Sequence, residues 1–341
     1  GQHTTLLAPF VKMFGVQVQR DLKALVPGQS LNQLLARVVS EIDSVYAEEK
    51  PDLVLVQGDT TTALAGALAA FYRGIPVGHV EAGLRTDDPL APFPEETNRR
   101  LISRIARLHF AATAQNVRTL LREGTNPDEV HLTGNPVVDA LQYMGTALPV
   151  SAQMTRQLEK IGNKRLLALT THRRESFGEA LTGNLQVLRD FVAKNEDVAL
   201  IFPVHPNPAV RAAASELLHG TDRIFLIDPL DYPDFIALLS RSWLIVSDSG
   251  GVQEEAPSLG VPLIVLREKT ERPECVEAGA AVLAGTPELL ARYLDDAYSG
   301  RLGLHKPREN PFGQGDAGQR IVQAIRRWVR TTQAQPQEAM A

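Results

Sequence analysis

Carboxylates and one basic cluster stand where short apolar runs end. Asp59 follows Leu53-Val54-Leu55-Val56, Glu81 follows the run 75–80, and Glu95 lies in Pro92-Phe93-Pro94-Glu95-Glu96. Acids that face an anion-binding group across a crevice suggest acid–base chemistry on a group attached to that anion. After the run 166–170 come Thr171-His172-Arg173-Arg174-Glu175, whose histidine and two arginines can neutralise a diphosphate. After Leu244-Ile245-Val246-Ser247 come Asp248-Ser249-Gly250-Gly251 and a helical stretch that contains Glu255. Free backbone N–H groups at such a helix start suit a phosphate, and the paired glycines let the backbone approach it closely. A carboxylate one turn into that helix suits ribose hydroxyls. A further charged group, 267–274, includes Arg272. Each of these residues alone also has a structural reading. Asp59 and Ser249 suit helix caps, Glu95 suits the dipole of a helix beginning at Pro94, and the charged groups suit solvated loops. His79, His109 and His205 read first as hydrogen-bonded structural histidines.

Strands and helices must alternate to place these residues. Ser30 with Gln33 forms a capping box, and apolar residues then recur at helical spacing until Pro51. Strands are expected at 53–56, 75–80, 108–112 and 130–132, with helices from Thr61 to Arg73 and near 115–122. A less patterned stretch runs from Tyr143 to Lys164. Strands follow at 166–170, 198–202, 224–227, 244–247, 263–266 and 281–283, interleaved with helices that include 180–193 and 208–218. A last helix is expected at 317–330. Short apolar runs bounded by turns mark strands buried on both faces, hence parallel sheets covered by helices. The expected architecture is α/β: two doubly wound Rossmann-like domains facing a cleft, residues 1–150 with the carboxylates and 151–330 with the phosphate turn, then a frayed tail at 331–341. Ligands of such sheets lie at the carboxyl ends of the strands.

The 341 residues carry 35 Lys and Arg against 40 Asp and Glu, a net charge of −5, so no global basic field draws nucleic acid. No apolar run approaches the ~20 residues of a membrane span. Cys275 is the only cysteine, which removes an intrachain disulfide and a cysteine zinc site and fits a reducing cytoplasm. The dinucleotide Gly-x-Gly-x-x-Gly, the P-loop and His-Glu-x-x-His are missing from the sequence, and no cofactor or metal is expected.

Eight segments occur in order: Gly58-Asp59-Thr60-Thr61-Thr62, Gly78-His79-Val80-Glu81-Ala82-Gly83-Leu84-Arg85-Thr86, Phe93-Pro94-Glu95-Glu96, Thr133-Gly134-Asn135-Pro136, His172-Arg173-Arg174-Glu175, Pro203-Val204-His205-Pro206-Asn207-Pro208, 248–257 and Thr270-Glu271-Arg272-Pro273-Glu274. Together they resemble the non-hydrolysing UDP-N-acetylglucosamine 2-epimerases of bacteria, from the first residues to about Ile321. The resemblance implies a GT-B fold, a cytoplasmic homodimer and interconversion of UDP-GlcNAc and UDP-ManNAc. It also implies elimination of UDP to 2-acetamidoglucal and its re-addition. By the same resemblance Asp59, Glu81, Glu95 and His172 are the catalytic set. Arg174, Ser249, Gly250, Gly251, Glu255 and Arg272 would hold UDP. Gln2, His3 and His205 would belong to a site for a second, activating UDP-GlcNAc. A glycosyltransferase on the same fold, a hydrolysing relative and an inactive nucleotide-sugar-binding protein are the alternatives.

The sequence departs from the family pattern in places. Family members open with a strand and a Gly-Thr-Arg-Pro-Glu turn that stand before Gly1, so the first sheet is expected to lack its central strand. Thr4 and Thr5 follow Gln2-His3 where Arg is usual, Ala8-Pro9 replaces Asp-Gln, Lys269 replaces Thr and Gln314 replaces Asp. Cys275 fills a position usually held by a small residue and is assigned no chemistry.

Overall fold

A computed structural model describes residues 10–147, 150–171 and 179–334. The apolar runs form parallel strands, and the helices between them are the crossovers that parallel pairing requires. In the first sheet, β1 (Val54–Gln57), β2 (Val77–Ala82), β3 (Leu108–Ala111) and β4 (Val130–Leu132) lie side by side in sequence order. In the second, β5 (Arg165–Thr170), β6 (Val198–Pro203), β7 (Ile224–Ile227), β8 (Leu244–Ser247), β9 (Leu263–Val265) and β10 (Ala281–Leu283) are ordered β10-β9-β8-β5-β6-β7. Strand order therefore reverses between β5 and β8, which pair from Leu167 with Leu244 to Thr170 with Ser247. At such a switch point the flanking crossovers leave on opposite faces and open a crevice at the carboxyl ends.

The second sheet is buried on both faces. Leu167, Leu169, Leu200, Phe202 and Val246 enter one core, while Leu166, Ala168, Ala199, Ile201 and Ile245 enter the other. This period-two alternation of uniformly apolar residues is why the strands read as continuous hydrophobic runs. Each fully buried Leu or Ile contributes about 2 kcal/mol, so both faces hold the strand ends firmly. Beside the first sheet, the helix Leu31–Glu49 starts at the expected capping box. Ser30 Oγ accepts from the Gln33 N–H, and Gln33 Oε1 accepts from the Ser30 N–H.

The chain divides into two units, Gly1–Asn135 with Asp316–Ala341, and Pro136–Gly315. This moves the expected boundary from 150 to 135. The less patterned stretch 143–164 holds the end of the helix Pro136–Ala147 and the helix Ala152–Ile161, whose Met154 joins the second unit's core. The last helix, Ala317–Ala334, belongs to the first unit and not to the 151–330 domain. Its Ile321 and Ala324 pack with Val80, Leu108 and Phe110 of the first sheet. The helix also continues through 331–334, where a frayed tail was expected.

Candidate active site

In the first unit the site forms around the turn after β1. Gly58 takes φ +69°, and its N–H donates to the Val80 carbonyl, so the turn is tied to β2. Thr60 caps the helix Thr61–Tyr72 with its side chain, which leaves the Asp59 carboxylate out of that structural role. Asp59 is held instead from the helix Glu95–Ile105. Arg99 Nη2 and Nε donate to Asp59 Oδ2 at 2.5 and 3.1 Å, and Asn98 Nδ2 donates to the Asp59 carbonyl at 2.8 Å.

Glu81 lies inside β2, one residue past the expected strand end. It sits at a register shift between Val80 and Ala82, where two residues of β2 oppose one of β3, and its φ is +66°. A non-glycine residue in this left-handed region costs of order 1 kcal/mol and recurs at functional sites. The bulge turns Glu81 toward the turn, where its Oε2 lies 3.4 Å from where a Cβ on Gly58 would stand. Bulges of this kind re-aim a side chain. Asp59 and Glu81 are therefore brought to one place.

Glu95 and Glu96, adjacent in sequence, point about 100° apart on their helix. Glu96 is fully buried and saturated by the Thr86 N–H, Arg99 Nη1 at 3.0 Å and Arg100 Nε at 2.6 Å. Glu95 is half-buried in the first turn and makes no hydrogen bond or ion pair among the described residues. The arrangement leaves Glu95 available to a ligand and commits Glu96 to structure. Beneath the turn, His79 Nε2 donates to the Gly58 carbonyl at 2.8 Å, and burial pushes its pKa down to about 4. This neutral imidazole supports the loop.

In the second unit, β8 runs into the helix Gly250–Leu259 at the switch point. Thr170 and Ser247, on the paired strand ends, share a hydrogen bond at 2.6 Å, and Ser247 Oγ also accepts from the Ser249 N–H at 3.0 Å. Ser249 is the helix N-cap but makes no side-chain capping bond. Gly250 is required by close approach, since a Cβ there would lie 2.7 Å from Arg272 Nη1. Gly251 is exposed, and a Cβ there would meet only Ser249 Oγ, at 3.9 Å. The open side of the turn can accept an anion.

Behind the turn, Arg272 Nε donates to Glu254 at 2.5 Å and Nη1 to Glu271 at 2.7 Å, while Arg267 pairs with the other oxygen of Glu271. The expected UDP ligand Arg272 is thus built into a buried ion network that braces the turn. Burial raises the Glu254 pKa against the opposing pull of Arg272. Glu255 is buried, and its Oε1 accepts from the Tyr232 hydroxyl at 2.7 Å. Burial pushes its carboxyl up to about 7. Cys275 is buried, with its thiol pushed up to about 12, and is inert at neutral pH.

Of the residues expected from the sequence, Asp59 and Glu81 meet at one turn of the first unit, Glu95 begins the helix whose Asn98 and Arg99 hold Asp59, and Ser249, Gly250, Gly251 and Glu255 lie on one strand-to-helix turn and helix of the second. His205 is half-buried at the end of β6, and its Nδ1 accepts from the Asn207 N–H. His172, Arg174, Gln2 and His3 lie outside the described residues. Sequence reasoning missed the partners Arg99, Asn98 and Tyr232. Arg99 stands next to Arg100 on a helix that opens with Glu95 and Glu96, where nothing in the sequence marks which of these charges turns inward. Tyr232 is far from Glu255 in sequence. Among the described residues no group of His, Cys, Asp and Glu could hold a metal ion, and no helix is long and apolar enough to cross a membrane.

Residues 1–326 match the sequence profile of UDP-N-acetylglucosamine 2-epimerase. The chain belongs to this family. It is 41% identical over 337 residues to the UDP-N-acetylglucosamine 2-epimerase of Escherichia coli K12, covering 95% of this chain and 89% of the relative. It is 43% identical over 334 residues to the Bacillus subtilis 168 enzyme, covering 95% and 85%. Among solved structures, the Neisseria meningitidis UDP-GlcNAc 2-epimerase bound to UDP-GlcNAc superposes with a TM-score of 0.88 at 38% identity, covering 96% of this chain and 90% of that one. The family resemblance first carried by eight short segments therefore extends over nearly the whole chain, and the fold is of the GT-B type expected.

Proposed function

We propose that this protein inverts C2 of UDP-N-acetylglucosamine to give UDP-N-acetylmannosamine, reversibly, with UDP leaving and returning. The carrying observation is the bulged, left-handed Glu81 placed beside Asp59, whose carboxylate is held from the helix that begins at Glu95. Backbone strain held at an acidic residue is the mark of a working site. The proton on C2 is adjacent to no carbonyl, so it must be acidified before a carboxylate can take it. Cleavage of the C1–O bond does this. The bonding pair leaves with UDP, positive charge grows at C1, and loss of H2 forms the C1–C2 double bond of 2-acetamidoglucal. Protonation of C2 from the opposite face and return of the diphosphate oxygen to C1 balance the reaction. Two acid–base groups are needed, and Asp59 and Glu95 supply them, with Glu81 completing the acidic cluster. The Ser249–Gly251 turn holds the departing diphosphate through backbone N–H groups and the helix dipole. Glu255 accepts the ribose hydroxyls.

Proton NMR of UDP-GlcNAc incubated with the protein in deuterated water tests this reading. Deuterium should enter C2 as UDP-ManNAc appears. Asp59→Asn and Glu95→Gln should each slow the exchange by about a hundredfold or more while leaving UDP affinity within about threefold, as expected for groups that act on the transition state. Saturable UDP binding without deuterium incorporation would reduce the protein to a nucleotide binder. Free ManNAc as the product would make it a hydrolase.

A further inference from the structure

We infer that Arg99 is a positioning residue for Asp59, fixing which oxygen of that carboxylate handles the proton. The inference rests on Asp59 acting at C2, as proposed above. Both donors that Arg99 gives to Asp59, Nη2 at 2.5 Å and Nε at 3.1 Å, fall on the same oxygen, Oδ2. Among the described residues Oδ1 receives no hydrogen bond. One oxygen is clamped and the other is left for substrate.

The clamp is itself held in place. The Arg99 side chain is only 5% exposed, and its Nη1 donates to the fully buried Glu96 at 3.0 Å. Arg100 takes the second oxygen of Glu96 at 2.6 Å and also donates to the Thr86 carbonyl, while the Thr86 N–H donates to Glu96. Arg100 thereby balances the charge of Glu96 and leaves that of Arg99 for Asp59. Asn98, one residue earlier on the helix, fixes the Asp59 main chain through its carbonyl at 2.8 Å. Backbone and carboxylate of Asp59 are thus both referenced to the helix whose first residue is Glu95. The two acids keep a fixed spacing through a single rigid element, and a proton transfer that fails with small displacements needs such a frame. Lysine cannot replace the planar fork, because its ammonium is a point charge on a flexible stem.

The test is a double-mutant cycle on turnover. Arg99→Lys should lower kcat by about thirtyfold or more, with KM for UDP-GlcNAc and UDP affinity within about threefold, the pattern of a transition-state effect. Asp59→Asn alone should be slower still, and adding Arg99→Lys to it should cost less than about twofold more, because the guanidinium acts through the carboxylate. A merely structural Arg99 would lower kcat by the same factor in both backgrounds. Arg99→Ala should regain about tenfold in rate on addition of millimolar guanidinium. Should the Arg99 variants fail to fold, Asn98→Ala run through the same cycle must show the same loss of effect in the Asp59→Asn background. Arg99→Lys with wild-type kcat, or equal effects in both backgrounds, overturns the inference. Undiminished turnover in Asp59→Asn alone overturns the reading of Asp59 beneath it.

Discussion

Glu255 receives one hydrogen bond among the described residues, from the Tyr232 hydroxyl, and burial raises its carboxyl to about 7 while that bond pulls the other way. Most of these carboxyls are therefore protonated at pH 6.5. Two ribose hydroxyls donating to Glu255 would favour the carboxylate, so nucleotide binding must expel a proton wherever the free protein still holds it. At pH 6.5 UDP binding should release about half a proton or more, read by calorimetry as a difference in heat between phosphate and Tris buffers, and affinity should rise with pH until somewhat above 7. Tyr232→Phe removes the bond that opposes burial and moves the release to higher pH, so that it persists at pH 8, where the native protein has lost most of it. Binding heats independent of buffer would separate Glu255 from the ribose. Nothing in the sequence foretold this coupling, since Glu255 is marked only by its place one turn into a helix. Its protonation depends on a tyrosine from another element.

The β8-to-helix turn places two adjacent glycines under different constraints. Gly250 faces the Arg272 guanidinium, which a Cβ would push out of its ion pairs with Glu254 and Glu271, whereas Gly251 faces open space. Gly250→Ala should destabilise the protein by about 1–3 kcal/mol, as overpacking does. Gly251→Ala should leave stability equal or raise it by about 0.5 kcal/mol, through a smaller unfolded-state entropy, yet weaken UDP binding about tenfold or more by standing where a phosphate approaches the backbone. Urea titration with UDP binding on the same two variants separates the roles, and unchanged affinity in Gly251→Ala would remove the phosphate from this turn. Elements were legible in the sequence where their physics is local. The strand 244–247 and the helix Pro208–Leu218 appear at their expected bounds, because continuous apolar runs and Asn-Pro helix starts need no tertiary information. The Glu81 bulge was not legible, since pairing with β3 creates it and no residue type announces it. The helix Ala152–Ile161 falls inside the stretch that showed little pattern, because its large apolar residues are only Met154, Leu158 and Ile161. The ownership of the last helix was hidden for another reason: amphipathic spacing shows that a face is buried, never against which sheet.

The two units should respond to acid in opposite senses. In the first, His79 and His109 are paired neighbours on β2 and β3, and burial lowers each from 6.5 to about 4. An unfolded histidine takes up its proton near 6.5, so between pH 6.5 and 4 the unfolded state binds more protons and stability falls as pH falls. Going from pH 7.5 to 5, each histidine removes about 2 kcal/mol. In the second unit Glu255 is raised from 4.5 to about 7, so there the folded state binds more protons across that interval. The same acidification relieves the cost of burying its charge and returns about 2 kcal/mol. Calorimetric scans at pH 7.5 and pH 5 should therefore show the first unit's transition moving down by about 10 °C, while the second unit's stays or rises. Hydrogen exchange assigns each transition: amides of β2 and β3 should open in the one that moves, and those of β5 and β8 in the one that does not. His109→Gln should remove about half of the acid shift, because one of the two buried bases is then gone. A single transition, or two that fall in parallel, would mean that the units unfold as one cooperative body or that the buried histidines are hydrated enough to titrate normally.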